Sequence, residues 1–312
     1  MTPIVASLPT RELLLGPVRD VRVLAVFPHA VYVEVVADVP SDAPSPLVTL
    51  VASDGVVHPN ALVVPDHHTA RPFACLHRGQ AGRIGHGTLA LGDAVYRPAR
   101  WRAAVPSLPA IDPAHLATAS AALRTHLEQR TGPLPAELVT PAVTVAAALV
   151  ADDVDVVRAT ASELIGRGPG LTPSGDDVLA GVLAGLRTLA SAVGDGAPLA
   201  ATLDAVGPDL RRQAKGRTTD VSLALLDHAT RGEVAAPAGE LLQALAAPGS
   251  TAASATTVRP EVPMLAAAPA RTDLAAATER LLAVGSTSGR DLALGLLAAA
   301  DQLAHRGSLV PA

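Results

Sequence analysis

Two patterns of hydrophobic spacing divide this chain. Through about residue 105 the apolar positions fall in short, β-branched runs. These are "VRVLAVFPHAVYVEVVAD" (21–38), "PLVTLVAS" (46–53) and "GRIGHGTLALGDAVY" (82–96), the last alternating between glycines. Asp54-Gly55 reads as a hairpin turn between "VTLVAS" and "VVHPNALVVP". Short strands at regular spacing predict a small β-barrel or sandwich-like domain. After the proline-punctuated "AAVPSLPAIDP" (103–113) the period becomes helical, with Asp112-Pro113 as N-cap and first helical position. Helices are expected at about 113–131, 135–166, 174–193, 198–214, 219–231, 238–247, 271–284 and 288–305. The Ser-, Thr- and Pro-rich segment 247–263 reads as a loop. Strands followed by helices predict an α+β chain, with a β-rich domain over 1–105 and an all-helical domain over 106–312.

One stretch of the helical half departs from its surroundings. "GRGPGLTPSGDDVLAG" (166–181) begins with Gly168, Pro169 and Gly170, which cannot form a helix interior. From Val178 onward Leu179, Val182, Leu183, Leu186 and Leu189 recur at helical spacing, so a tight loop feeds a helix start. A related pattern, "STSGRDLALG", begins at Ser286. Aligned without gaps, Ser174 meets Ser288, Gly175 meets Gly289, Asp177 meets Asp291 and Gly181 meets Gly295.

Ser-x-x-Asp is capping-box spacing, and a capped helix is the simplest reading of either copy alone. The small residues argue for more. Asp177, Gly181 and Gly185 share one helix face, as do Asp291, Gly295 and Ala299, so another backbone can come close beneath each aspartate. Two helix starts facing one shared cleft are therefore expected. Helix N-termini attract anions, and Gly170, Gly175 and Gly289 would leave first-turn amides uncovered beside the hydroxyls of Thr172, Ser174, Ser286, Thr287 and Ser288. Asp176, Asp177 and Asp291 are the candidate catalytic groups. In this reading Asp177 is the better cap and Asp176 the freer group. Either Mg²⁺ bridges Asp176 and Asp177 to an anion, or the carboxylates accept N–H donors of a urea-like or amide-like substrate. Spacing leaves both open. "RRQAKGRTTDVSLALLDHATRGE" (211–233) reads either as a capped helix after a basic turn, or as a source of cations and hydroxyls for the same anion. The groups concerned are Lys215, Arg217, Thr218, Thr219 and Ser222, with Arg290 as a further cation.

Composition narrows the classes. The chain has 312 residues, 49% hydrophobic but only 2% aromatic, so its core must be built from small aliphatic side chains. A net charge of −5 and five scattered aromatic residues (two Phe, two Tyr, one Trp) exclude a typical nucleic-acid binder. The single cysteine, Cys75, fits a reducing compartment without a disulfide framework. No membrane span or signal peptide is read, so a cytoplasmic protein is expected.

"GPGLTPSGDDVLAG", the "RTTDVS" helix start and "GSTSGRDLALG" together resemble the signature blocks of the AllH-type family, which includes a subunit of oxamate carbamoyltransferase in anaerobic allantoin breakdown. The blocks fall between residues 166 and 299, and the β-rich first hundred residues fit the family layout loosely. Arg290 stands where the family pattern leads one to expect a bulkier residue between Ser-Gly and Asp. The resemblance implies carbamoyl transfer between oxalurate and phosphate, giving oxamate and carbamoyl phosphate. It also implies an FdrA-like companion subunit and a further companion, and a small anionic substrate (phosphate, carbamoyl phosphate or a ureido acid). Two other classes stand beside it: a non-catalytic metabolite-sensing subunit, and a stand-alone Mg²⁺-dependent amide hydrolase.

Three clusters are read as structural. Asp66-His67-His68 with Cys75-x-His77 matches no established zinc spacing and reads as a solvated loop. Gly82, Gly85 and Gly87 around His86 read as hairpin glycines rather than a phosphate loop. Asp152, Asp153 and Asp155 read as an exposed helix face.

Overall fold

The computed structural model of the protein describes residues 1–36, 47–194, 196–248 and 273–307. Most of the predicted loop 247–263, and the first two residues of the helix predicted at 271–284, lie outside them.

Eight strands close into a barrel: β1 (Thr2–Ser7), β2 (Arg19–Val26), β3 (Ala30–Val35), β4 (Leu47–Val51), β5 (Ala61–Val63), β6 (Ala81–Gly85), β7 (Thr88–Leu91) and β8 (Ala94–Arg102). Their order is β1-β5-β4-β3-β2-β6-β7-β8, closed by parallel pairing of β1 with β8. Of the two predicted β architectures the chain adopts the barrel. The pleat explains the alternation in β3, where Val31, Val33 and Val35 point inward and Tyr32 and Glu34 are half-buried. Strand β4 is buried at all five positions because both of its faces are covered. One faces the barrel interior; on the other side Leu47 packs with Val221 and Ala224.

The turn signal at Asp54-Gly55 does not make a hairpin. Strands β4 and β5 run parallel, with Thr49 opposite Ala61 and Val51 opposite Val63, and β5 pairs antiparallel with β1 on its other edge. The physical reason is competition: the β1 edge offers β5 a partner that local turn chemistry cannot reveal. Gly85-His86-Gly87, all at positive φ, do form the turn between β6 and β7.

The helices are α1 (Arg11–Leu15), α2 (Pro113–Thr131), α3 (Ala136–Val150), α4 (Val154–Leu164), α5 (Ser174–Val193), α6 (Gly196–Ala214), α7 (Asp220–Thr230), α8 (Ala236–Ala246), α9 (Leu274–Leu282) and α10 (Ser288–Gly307). The stretch 135–166 is two helices rather than one. Asp152 takes a left-handed conformation (φ 59°), and Asp153 caps α4 by accepting from the Val156 amide at 3.1 Å. Asp152 and Asp153 therefore mark a helix break, while Asp155 stands exposed in the first turn of α4.

Helix α5 is the centre of the helical part, buried at every position from Gly175 to Leu186. It packs along α10 with the backbones nearly touching. A Cβ on Gly295 would lie 2.0 Å from the Val178 carbonyl oxygen, and one on Gly181 would lie 2.3 Å from that of Leu292. One turn further on, a Cβ on Gly185 would lie 2.7 Å from the Ala299 Cβ. The small-residue face predicted from the two motifs is thus the α5/α10 contact. Hydrogen bonds from Val234 N to Ala104 O (3.0 Å) and from Ala236 N to Val57 O (2.9 Å) tie the helices to the barrel.

Candidate functional site

Both motif copies build the same frame. In the first, the Arg167 amide donates to Leu164 O at the end of α4, and the Gly175 amide donates to Arg167 O at 2.9 Å. In the second, the Val284 amide donates to Leu281 O and the Gly289 amide to Val284 O at 3.0 Å. A Cβ on Gly175 would lie 2.0 Å from Leu164 O, and one on Gly289 would lie 1.8 Å from Leu281 O. Each motif glycine therefore lets its helix start abut the end of the preceding helix. The two starts meet through a 2.9 Å hydrogen bond between the Thr172 and Ser288 hydroxyls.

This geometry corrects the anion reading of the glycines. Gly175 is buried, and its amide is already used. The amides of Asp176 and Asp177 donate to Pro173 O (3.0 and 3.1 Å), and that of Asp291 to Thr287 O (2.9 Å). No side chain caps α5, whose N-cap is Pro173, so Ser174 and Asp177 do not form a capping box. A Cβ on Gly168 (φ 110°) would lie 3.0 Å from the Ser174 amide nitrogen, and Gly170 (φ 99°) and Ser286 belong to the exposed loops before the two helices.

The two acidic groups exchange their expected roles. Asp176, 1% exposed, accepts from the Gly166 amide (2.8 Å), from the Ser222 hydroxyl (2.7 Å) and from the Thr218 hydroxyl. Thr219 caps α7 by accepting from the Ser222 amide at 3.1 Å, and donates to Leu171 O. The hydroxyls of the third motif thus fasten α7 to Asp176 rather than reaching an anion. Arg217 is turned to Ser162, donating to its hydroxyl (3.1 Å) and carbonyl (2.7 Å), and Lys215 is exposed in the turn after α6. Arg290 lies against Asp291, with contacts of 2.8 and 2.6 Å to one carboxylate oxygen.

Asp177 faces a cavity of about 320 Å³ between the barrel and the helices. From the helical side come Thr172, Asp177, Glu233 and Ser288, among apolar residues such as Leu171 and Leu292. From the barrel come Phe27, His29, Tyr32, His58 and Pro59. Oxygen Oδ2 of Asp177 is buried without a protein partner, as is Oδ2 of Asp291. Burial pushes the Asp177 carboxyl up to about 7; the Ser288 and Thr172 hydroxyls pull it down, while the charges of Asp291 and Asp176 push it further up. Burial also lowers His58 to about 4, helped by nearby His228, so its ring is neutral at pH 7. Burial raises the Tyr32 phenol. Glu233 behaves differently. Burial alone would raise it, but His228 (2.5 Å) and Arg231 (3.2 Å) hold it ionised, below the ordinary range.

An apolar cavity holding one carboxyl near neutral pKa, two hydroxyls, a neutral imidazole and a phenol suits a small polar ligand with N–H donors and a carbonyl. No Lys or Arg belongs to the lining among the described residues. The pair Asp176 and Asp177 does not fit Mg²⁺, because Asp176 already accepts three protein hydrogen bonds and only Asp177 has an unpartnered oxygen. Sequence reasoning missed His58, Tyr32, His29 and Glu233, for which no spacing signal exists in one dimension.

The family model described as oxamate carbamoyltransferase subunit AllH matches residues 164–300. This match supports the resemblance of that region to the AllH family. The AllH match begins at Leu164, against whose carbonyl Gly175 packs, and ends within α10, so it spans both helix starts and the α5/α10 contact. The barrel residues of the cavity lie outside it. No match to the chain was found among curated proteins or solved structures. No helix among the described residues is long and apolar enough to cross a membrane.

Proposed function

We propose that this chain serves in an oxamate carbamoyltransferase-like assembly and binds the ureido side of the reaction in the cavity between barrel and helices. The carrying observation is Asp177: a buried carboxyl with an unpartnered oxygen, beside one hydroxyl from each motif copy. In this reading Asp177 accepts N–H bonds from a ureido or carbamoyl group, as from oxalurate, while Thr172 and Ser288 donate to its carbonyl oxygen. The apolar wall keeps water from the carbamoyl carbon. Because no Lys or Arg belongs to the lining among the described residues, the phosphate that accepts the carbamoyl group is assigned to the companion subunits, one of them FdrA-like. The same feature favours the second reading, a metabolite-sensing subunit whose cavity binds oxalurate or oxamate without taking part in the transfer. The committed Asp176 weighs against a stand-alone Mg²⁺ hydrolase.

The test is reconstitution with the companion subunits, measuring carbamoyl phosphate formed from oxalurate and phosphate. Asp177→Asn should lower turnover by about 10²-fold or more while the melting transition is retained. Unchanged turnover with oxalurate binding lost in calorimetry would select the sensing role. Loss of neither turnover nor binding removes the cavity from both readings.

A further inference from the structure

Three loops of the barrel converge at the edge of the cavity. His29 lies in the turn between β2 and β3, Asp54 follows β4, and His67 and His68 follow β5. The ligand atoms of His29, Asp54 and His68 all lie within 4.8 Å of one another. Asp54 Oδ2 is the hub: it stands 3.5 Å from His29 Nδ1, 3.2 Å from His67 Nε2 and 2.5 Å from His68 Nδ1. From this arrangement we infer that His29, Asp54 and His68, with His67 alongside, form a binding site for a divalent transition metal of the zinc class.

The distances fit such an ion. Ligands about 2.0–2.1 Å from a tetrahedral centre are roughly 3.3 Å apart. Two of the three nitrogen–oxygen separations bracket that value, and the third needs to open by less than 1 Å on that scale. Imidazole and carboxylate donors suit zinc and its neighbours better than the hard ions Mg²⁺ and Ca²⁺. The loops are held together before any ion arrives. Ala52 N donates to His29 O and Ser53 N to Asp66 O, both at 2.9 Å. His68 N donates to Asp54 Oδ1 at 2.9 Å, which leaves Oδ2 facing the rings. His67 Nδ1 lies 2.9 Å from Thr69 Oγ1 and accepts from the Thr69 amide at 3.3 Å, which fixes the ring with Nε2 toward Asp54.

The His29 and His68 rings stack 4.0 Å apart and the His67 and His68 rings 4.5 Å apart. Three ring nitrogens therefore converge on the single oxygen Asp54 Oδ2, an arrangement that a divalent ion between them would satisfy. The side chains of His29 and His67 are about half exposed, which gives an ion a way in. Since His29 also lines the cavity, the ion would bring positive charge to a lining that has no Lys or Arg among the described residues. The inference does not rest on the identity of the cavity's ligand.

The experiment is calorimetric titration of ZnCl₂ into the full chain after chelator treatment, together with the visible spectrum of the Co²⁺ form. The expected result is one equivalent bound with a dissociation constant below about 10 μM. It should come with the strong absorption of four-coordinate cobalt. His68→Ala and Asp54→Ala should each weaken binding at least about tenfold and abolish that absorption, while His77→Ala, outside the cluster, should change neither. Circular dichroism melts check that the variants fold; His29→Ala, at an exposed turn, replaces any that does not. Millimolar binding only, or binding unaltered by these ligand substitutions, overturns the site. Because no substrate is present, the result is independent of the carbamoyl-transfer reading.

Discussion

At the start of α5 the motif leaves one aspartate facing a cavity, whereas at the start of α10 the same motif leaves its aspartate under an arginine. The frames are alike: each glycine amide reaches back to the loop, and each glycine Cα abuts the end of the preceding helix. What differs is the residue one position before the shared aspartate. In the first copy it is Asp176, drawn away by Gly166, Thr218 and Ser222; in the second it is Arg290, which folds onto Asp291. Among the described residues no cation stands beside Asp177, and burial raises its pKa. One motif yields a free carboxyl and a paired one, and the choice is made by a neighbouring residue rather than by the motif itself.

The largest effect should come from breaking the frame the copies share. Gly295→Val places a Cβ 2.0 Å from Val178 O and 2.8 Å from Val182 N, both backbone atoms that cannot yield separately. A loss of about 4 kcal/mol or more, or failure to fold, is expected. Gly185→Ala gives a graded version, since its Cβ meets the Ala299 Cβ at 2.7 Å; urea unfolding should show a loss of about 1–3 kcal/mol. Wild-type stability in both variants would mean that α5 and α10 are not in backbone contact.

Next in size is Asp176→Ala, which strands the Gly166 amide and two hydroxyls in the interior. A loss of about 2–4 kcal/mol in urea unfolding is expected. Asp177→Ala, removing a group with an unpartnered oxygen, should cost clearly less. Equal losses would erase the distinction between the two carboxylates. The plain sequence reading gives the reverse order, with Asp177 as the cap.

That reversal marks what one dimension can carry. The paired starts were legible because the motif recurs at fixed internal spacing and because Gly181, Gly185 and Gly295 share faces with the aspartates. Thr218 and Ser222 were also visible as hydroxyls at a helix start. Their target was not, because it lies more than forty residues away on α5. The contribution of the barrel to the cavity was hidden for the same reason: His58 and Tyr32 come from segments whose spacing reports only strands and turns. The α+β order and the change from strand to helical pattern near residue 105 were plain from periodicity. The parallel β4/β5 pair was not, since Asp54-Gly55 is a local signal and β1 supplies a distant edge. Asp54 itself belongs to the histidine cluster, which the linear spacing of His67 and His68 gave no reason to expect.

A smaller change tests the second copy. Arg290→Ala leaves both oxygens of the fully buried Asp291 without the arginine. Arg290 is 29% exposed, so solvent moderates the loss, and about 1–2 kcal/mol is expected near pH 7. Urea unfolding measures it, and wild-type stability in Arg290→Ala would show that the arginine contributes nothing to holding Asp291.

The most discriminating effect is on the pH dependence of stability. Asp177 has a folded pKa near 7 against an ordinary value of 3.8, so between those values the folded chain holds a proton that the unfolded chain has released. Its contribution therefore falls as pH rises from about 4 to 7, by at most about 4 kcal/mol for a shift of roughly three units, with the true value lower if the site relaxes. His58 works in the opposite direction. Its folded pKa near 4 lies below the ordinary 6.5, so the unfolded chain binds the extra proton and stability rises with pH across that window. The two slopes offset each other in the wild type between about pH 4 and 6.5. Removing one group should expose the other. In Asp177→Asn, stability should rise with pH through this range and exceed its own pH 4 value at pH 7; in His58→Asn it should fall. At pH 8 the asparagine at 177 should match or exceed the wild type, because it carries no charge to bury. Urea midpoints of the three proteins at pH 4.5, 6 and 8 measure this directly. Parallel curves for all three would mean that Asp177 ionises as an ordinary surface carboxylate, and the contrast between the two helix starts would lose its electrostatic basis.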